Sequence, residues 1–205
     1  MGVDMYMYAE RLVQESWQPV PEPEPDPWVE DDEEIEIIPV ELGDIVCRHH
    51  RLYSLLAGTE IGGTCRNDEV PQIFTPRGLP KDMSKFYAAL FQDWYETDRG
   101  DFGASWLMVR ELVDLDLDSY EVFHYGYVEW DIAHLFTDGQ PFPADFPKDA
   151  RIYSLSDNPD YPVKVRWSMG TLCEYVDYSL QLLLNEDLLP LGPPDEVRII
   201  YWFNW

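Results

Sequence analysis

The segment Val197-Arg198-Ile199-Ile200-Tyr201-Trp202-Phe203-Asn204 is apolar at odd and even positions alike up to its closing Asn204, with Arg198 as the exception within it. Side chains of a strand alternate between two faces, so a strand without a polar face belongs in the middle of a sheet, covered on both sides. The opening residues give it a partner. Val3, Met5 and Met7 alternate with Asp4, Tyr6 and Tyr8, a period of two that predicts a strand with a buried face, and residues 13–20 are placed to return antiparallel to it.

Helical spacing appears between these ends. Met83, Phe86, Tyr87, Leu90, Phe91 and Trp94 recur at intervals of three and four behind the caps Asp82 or Ser84. Asp44 is placed to cap a short helix carrying Ile45, His49, Leu52 and Leu56 and stopped by Gly58. Ser105 reads as the cap of a third helix with Trp106, Val109, Leu112 and Val113 inward. Thr171 and Glu174 form a capping box for a long helix that ends at Gly192-Pro193-Pro194. Strands are expected at 120–130 and 163–167, and loops at 59–81 and 139–147. The expectation is one α+β domain over residues 1–205, with a mixed or antiparallel sheet that includes both terminal strands and is covered by about four helices.

Charge decides what such a body can approach. The 205 residues carry 14 Lys and Arg against 40 Asp and Glu, a formal net charge of −26. Residues 22–44 alone hold eleven acids and no Lys or Arg, and residues 21–44 read as an acidic Pro- and Glu-rich loop inserted in the domain. Nucleic acid and anionic membranes are thereby excluded as direct ligands. Hydrophobic residues make up 45% and aromatics 15%, more than a disordered acidic chain carries, so the acids are expected on the surface of a packed body. Mutual repulsion then opposes folding, and screening should relieve it: Tm is expected to rise by several degrees in a thermal melt between roughly 10 and 150 mM salt. A flat or falling Tm would show that repulsion is not a net cost. Three scattered cysteines, Cys47, Cys65 and Cys173, and no apolar run long enough to span a bilayer fit a soluble protein of a reducing cytoplasm.

Several segments carry a resemblance. Met1-Gly2-Val3-Asp4, Arg51-Leu52-Tyr53-Ser54-Leu55-Leu56-Ala57-Gly58, Arg77-Gly78-Leu79-Pro80, Ser105-Trp106-Leu107 with Glu111-Leu112, and Arg198 to Asn204 together resemble a family of uncharacterised tailed-bacteriophage proteins that open Met-Gly-Cys-Asp-Ile-His and end Arg-Ile-Val-Phe-Trp-Phe-Asp-Asn. The resemblance implies a phage or prophage origin, and hence the cytoplasm of a host bacterium. Val3 and Tyr6 stand where the family has Cys and His, so a metal site of that type does not carry over.

No motif spells out a reaction, and no catalytic residue, metal site or cofactor is assigned. Cys47, His49, His50, Cys65, His124 and His134 lack the paired spacing of a zinc knuckle. Asp4, on the polar face of a core strand, calls for a partner such as Arg198 or Arg77, and an internal Asp–Arg bridge joining the terminal strands is the simplest outcome. Asp4, Arg51, Arg77 and Arg198 gathered together would form a pocket for a nucleotide, since a guanidinium fork fits phosphate oxygens in pairs. The leading expectation is different. Trp28, Glu30, Asp31, Asp32, Glu33, Glu34, Ile35 and Glu36 interleave acids with apolar anchors, a ladder that imitates DNA phosphates. The partner expected for it is a basic host protein, a nuclease or other antiviral defence component, inhibited without any reaction. A nucleotide sponge or nucleotide-cleaving protein is the alternative.

Overall fold

The computed structural model describes residues 4–25, 37–38, 42, 50–57, 67–97, 102–154, 163–176 and 179–204. Its strands are β1 (Asp4–Val13), β2 (Ser16–Val20), β3 (Glu24–Pro25), β4 (Ile37–Ile38), β5 (Asp68–Glu69), β6 (Phe102–Met108), β7 (Glu121–Val128), β8 (Val163–Thr171) and β9 (Val197–Asn204). Its α-helices are α1 (His50–Ala57), α2 (Lys85–Thr97), α3 (Val109–Val113), α4 (Leu172–Val176) and α5 (Ser179–Leu182). The class is α+β, and every sheet is antiparallel.

The chain gathers into two compact units, one of residues 1–49, 75–115 and 178–205, the other of residues 50–74 and 116–177. Neither is contiguous, so no linker marks a boundary along the sequence.

The first unit is built on a sheet of order β2-β1-β9-β6. β1 and β9 pair in unbroken register from Asp4 opposite Asn204 to Arg11 opposite Val197, which makes the terminal strands neighbours, as expected. β9 is interior, and Val197, Ile199, Ile200, Tyr201, Trp202 and Phe203 are all buried, each side chain contributing about 1.5–3 kcal/mol of gross stabilisation. One face carries Tyr6, Tyr8, Ile200 and Trp202, on which α2 lays Tyr87, Phe91 and their neighbours. Trp202 meets Tyr8 at 5.2 Å and Phe91 edge-on at 5.3 Å between ring centroids. The other face carries Met5, Met7, Ile199 and Tyr201, with Leu107 of β6 opposite Ile199.

Two expected helices differ. Ser105 caps nothing: residues 102–108 form β6, with Ser105 opposite Tyr201 and Trp106 opposite Ile200, and the helix is only the five residues of α3. Trp106 happened to stand one helical interval before Val109, yet it belongs to the alternation of the strand. The long helix expected after Thr171 begins with its capping box, in which the Thr171 N–H donates to Glu174 Oε2 at 2.9 Å and the Glu174 N–H to Thr171 Oγ1 at 3.3 Å. It does not run on as one α-helix. After α4 and α5 the winding turns π-helical over Leu183–Leu188 and 3-10 over Leu189–Leu191, before Gly192. The helix expected behind Asp44 is α1, which starts at His50, and residues 43–49 lie outside the described residues.

The second unit holds the sheet β5-β7-β8. Its apolar face carries Val128, Val165 and Trp167 with Phe136 and Ile152. The β7–β8 register shifts between Val122 and Phe123 and pairing resumes at Gly170, whose φ of +97° glycine tolerates and whose missing Cβ would collide with the Glu174 carboxylate. Gly170→Ala should therefore disrupt the capping box as well as strain the backbone, lowering stability by about 1–3 kcal/mol in a denaturant titration.

Candidate functional site

The eight residues expected to touch a partner, Trp28, Glu30, Asp31, Asp32, Glu33, Glu34, Ile35 and Glu36, lie outside the described residues, as do Cys47, His49 and Cys65. Of the nucleotide-pocket candidates, Asp4 is described in its backbone alone, opposite Asn204. Arg51 belongs to the second unit, where its guanidinium lies 5.1 Å over the Tyr175 ring and donates to the Tyr175 carbonyl at 3.0 Å. Arg77 and Arg198 do converge: both guanidinium groups face the ring of Trp106, at 5.0 and 5.8 Å from its centroid.

Each of these two is already engaged by carboxylates. Arg198 is 2% exposed and donates from Nε to Glu10 Oε2 at 2.9 Å and from Nη1 to Asp82 Oδ1 at 2.8 Å. Its Nη2 lies 2.7 Å from the same Glu10 oxygen, at an angle suited to an ion pair but not to a hydrogen bond. Trp17 closes the assembly, its ring 3.9 Å from the guanidinium carbon and its Nε1 donating to Asp82 Oδ2 at 3.0 Å. An acid–arginine bridge thus joins the terminal strands through Glu10, directly opposite Arg198, and Asp4 lies six residues along the same strand. Glu10 has a second duty. Its Oε1 accepts the Ser84 N–H at 2.6 Å while Ser84 Oγ accepts the Tyr87 N–H at 3.3 Å, so a strand glutamate completes the cap of α2.

Arg77 pairs in both directions with Glu111, which also accepts the Met108 N–H at 2.9 Å. The hydrogen bond from Arg77 holds the Glu111 carboxyl below its ordinary value of 4.5. A carboxylate lowered in the folded state lends stability above its ordinary value and loses it as pH falls through the lowered one. The Tm gap between wild type and Arg77→Leu should therefore be widest above pH 4.5 and close as acid protonates Glu111 in both, followed by thermal melts across pH. A gap unchanged with pH would mean that packing on Trp106 is what Arg77 contributes.

In the second unit the histidine-centred cluster was not foreseen. Asp68 and His124 are directly opposite on β5 and β7, and Asp68 Oδ1 meets His124 Nδ1. Tyr175 donates its hydroxyl to Asp68 Oδ2 at 2.7 Å, and the His124 ring lies 4.8 Å from Trp167. An ionised carboxylate only accepts, so in this contact His124 donates from Nδ1. An acid exactly one register across from a histidine was the signal available in the sequence, hidden because β5 is two residues long.

The same unit presents acid outward. All eight acids between residues 116 and 149 are exposed, and Lys148 is the one Lys or Arg among them. A cleft of about 490 Å³ is bordered by Glu129, Asp131, His134, Asp145 and Asp149, and Trp130, 76% exposed, is next in sequence to its rim. Among the described residues no cluster of His, Cys, Asp and Glu has metal-binding geometry, and no helix is long and apolar enough to cross a membrane.

No protein-family model, curated protein or solved structure matches the chain.

Proposed function

We propose that this is a phage-encoded acidic accessory protein that binds a basic host protein of nucleic-acid handling or antiviral defence and blocks its groove by imitating DNA, without catalysing a reaction. The observation that carries the reading is how the cations are spent. Arg11, Arg77, Arg110, Arg166 and Arg198 are each held by carboxylates of the same chain, while among the eight exposed acids of residues 116–149 the described residues show an ion pair for Asp138, with Arg166, and for no other. The negative field therefore reaches outward, where it steers a cationic macromolecule and repels nucleic acid. The residues from Trp28 to Glu36 add further acids with apolar anchors, and the resemblance to tailed-phage proteins supports a site of action in the host cytoplasm.

The test is capture from bacterial lysate at low and moderate salt, followed by competition with duplex DNA for each identified partner. A DNA-binding protein released by duplex DNA is the expected result. Partners that DNA does not displace, or that remain bound when Glu30, Asp31, Asp32, Glu33, Glu34 and Glu36 are changed to lysine, would overturn the reading.

A further inference from the structure

The acid-bordered cleft of about 490 Å³ in the second unit has the make-up of a receptor for one side chain. Its border comes from two short stretches, residues 129–135 with Glu129 and Asp131, and residues 145–150 with Asp145 and Asp149. Main-chain bonds fix both. The Ile132 and Ala133 N–H groups donate to the Glu129 carbonyl at 3.2 Å, and the Ala150 N–H donates to the Pro147 carbonyl at 3.1 Å. None of the four carboxylates has an ion pair or a side-chain hydrogen bond among the described residues, and Lys148 does not belong to the border. Between the acids the lining is apolar, with Ile132, Leu135 and Pro147.

A second observation is independent of the charge. Trp130 stands on the turn 129–132, between two residues of the border, and at 76% it is the most exposed of the large apolar side chains described. An indole left in water beside a cleft is the kind of group that interface cores bury and that dominates their energetics.

We propose that this cleft receives an arginine side chain of the basic partner, with Trp130 packing beside it at the lip. Four unanswered carboxylates call for a cation. The apolar part of the lining suits a guanidinium, which is planar and weakly hydrated, better than an ammonium. The exposed indole favours the same group, since a guanidinium stacks on an aromatic face. A metal ion is not the occupant, because no cluster of described His, Cys, Asp and Glu has metal-binding geometry. The inference rests on the proposed basic partner and adds the point at which that partner is gripped.

The experiment titrates the whole protein, labelled with ¹⁵N, with the capped peptide Gly-Gly-Arg-Gly-Gly and follows the backbone amide shifts. Versions with lysine or citrulline in place of arginine accompany it, citrulline keeping the shape without the charge. Saturable shifts confined to residues 129–135 and 145–150 are expected, with roughly threefold weaker binding of the lysine peptide and roughly tenfold weaker binding of the citrulline one. Asp131→Asn with Asp145→Asn should weaken the arginine peptide roughly tenfold, and Trp130→Ala should weaken it measurably. Asp116→Asn with Glu121→Gln makes the same change of charge on exposed acids outside the cleft and should leave binding unaltered. Equal losses from the two pairs, shifts scattered over the acidic surface, unchanged binding by Trp130→Ala, or no saturation at millimolar peptide would each overturn the inference. So would a dimer of the protein that Asp131→Asn with Asp145→Asn dissociates. A partner captured from lysate that binds this cleft variant as tightly as wild type overturns the docking point and leaves the basic-partner reading standing. Arginine peptide saturating the cleft of a protein that captures no basic partner supports the arginine site and sinks the proposed function instead.

Discussion

Arg198→Met is expected to lower folding stability by about 3–5 kcal/mol, because it leaves the Glu10 carboxylate buried with no cation to answer it. Glu10 is 0% exposed, and water cannot take over the role of the guanidinium. Methionine keeps roughly the length of the aliphatic stem beneath Trp17, so the loss reports charge more than volume. For a chain of this size the fall in Tm should be on the order of 10 °C, with an equal signal in urea titration. The double variant Glu10→Gln with Arg198→Met separates causes. Glutamine still accepts the Ser84 N–H that opens α2, carries no charge, and should recover more than half of the loss. A single variant that costs less than about 1 kcal/mol would show that the pair is not a determinant of the sheet.

The second large effect is kinetic. Reversing Glu30, Asp31, Asp32, Glu33, Glu34 and Glu36 to lysine changes the net charge by twelve, from −26 to −14, and inverts the sign of the tract. Steered association responds to such fields by factors of about 10–1,000, so a roughly 100-fold slower association with the captured partner is expected at low salt. The difference should shrink toward physiological salt, where the Debye length is about 8 Å. Trp28→Ala should behave in the opposite way, leaving association nearly unchanged and speeding release, since an apolar anchor acts after encounter. Stopped-flow or surface-plasmon kinetics at several salt concentrations read both. Equal association rates for wild type and the reversed variant would remove electrostatic steering from the account.

What was readable in the sequence is what short-range pattern controls. β9 declared itself by hydrophobicity on both faces, α2 by its stripe and its Ser84 cap, and α4 by the reciprocal Thr171–Glu174 pair. Glu10 was passed over because an acid between Ala9 and Arg11 looks like the exposed half of an alternation. In the structure it shares a face with Tyr6 and Tyr8, and only the register against β9 reveals that Arg198 is its counterpart. β6 was mistaken for the start of a helix because four apolar positions satisfied the helical interval across a strand–helix junction. Asp68 and His124 are 56 residues apart and meet through a two-residue strand, too short for any periodicity to announce. The two discontinuous units follow from long-range contacts alone, to which local composition is blind.

The pairing of β1 with β9 also sets a timetable during translation. Glu10 and Arg198 are 188 residues apart, and at about 5–20 residues per second the ribosome needs roughly 10–40 s to deliver the second after the first. Throughout that interval the hairpin of β1 and β2 has been made while the strand destined for its apolar flank has not. The nascent chain is then most exposed to mispairing, so chaperone occupancy should concentrate on the first hairpin and end when the final strand emerges.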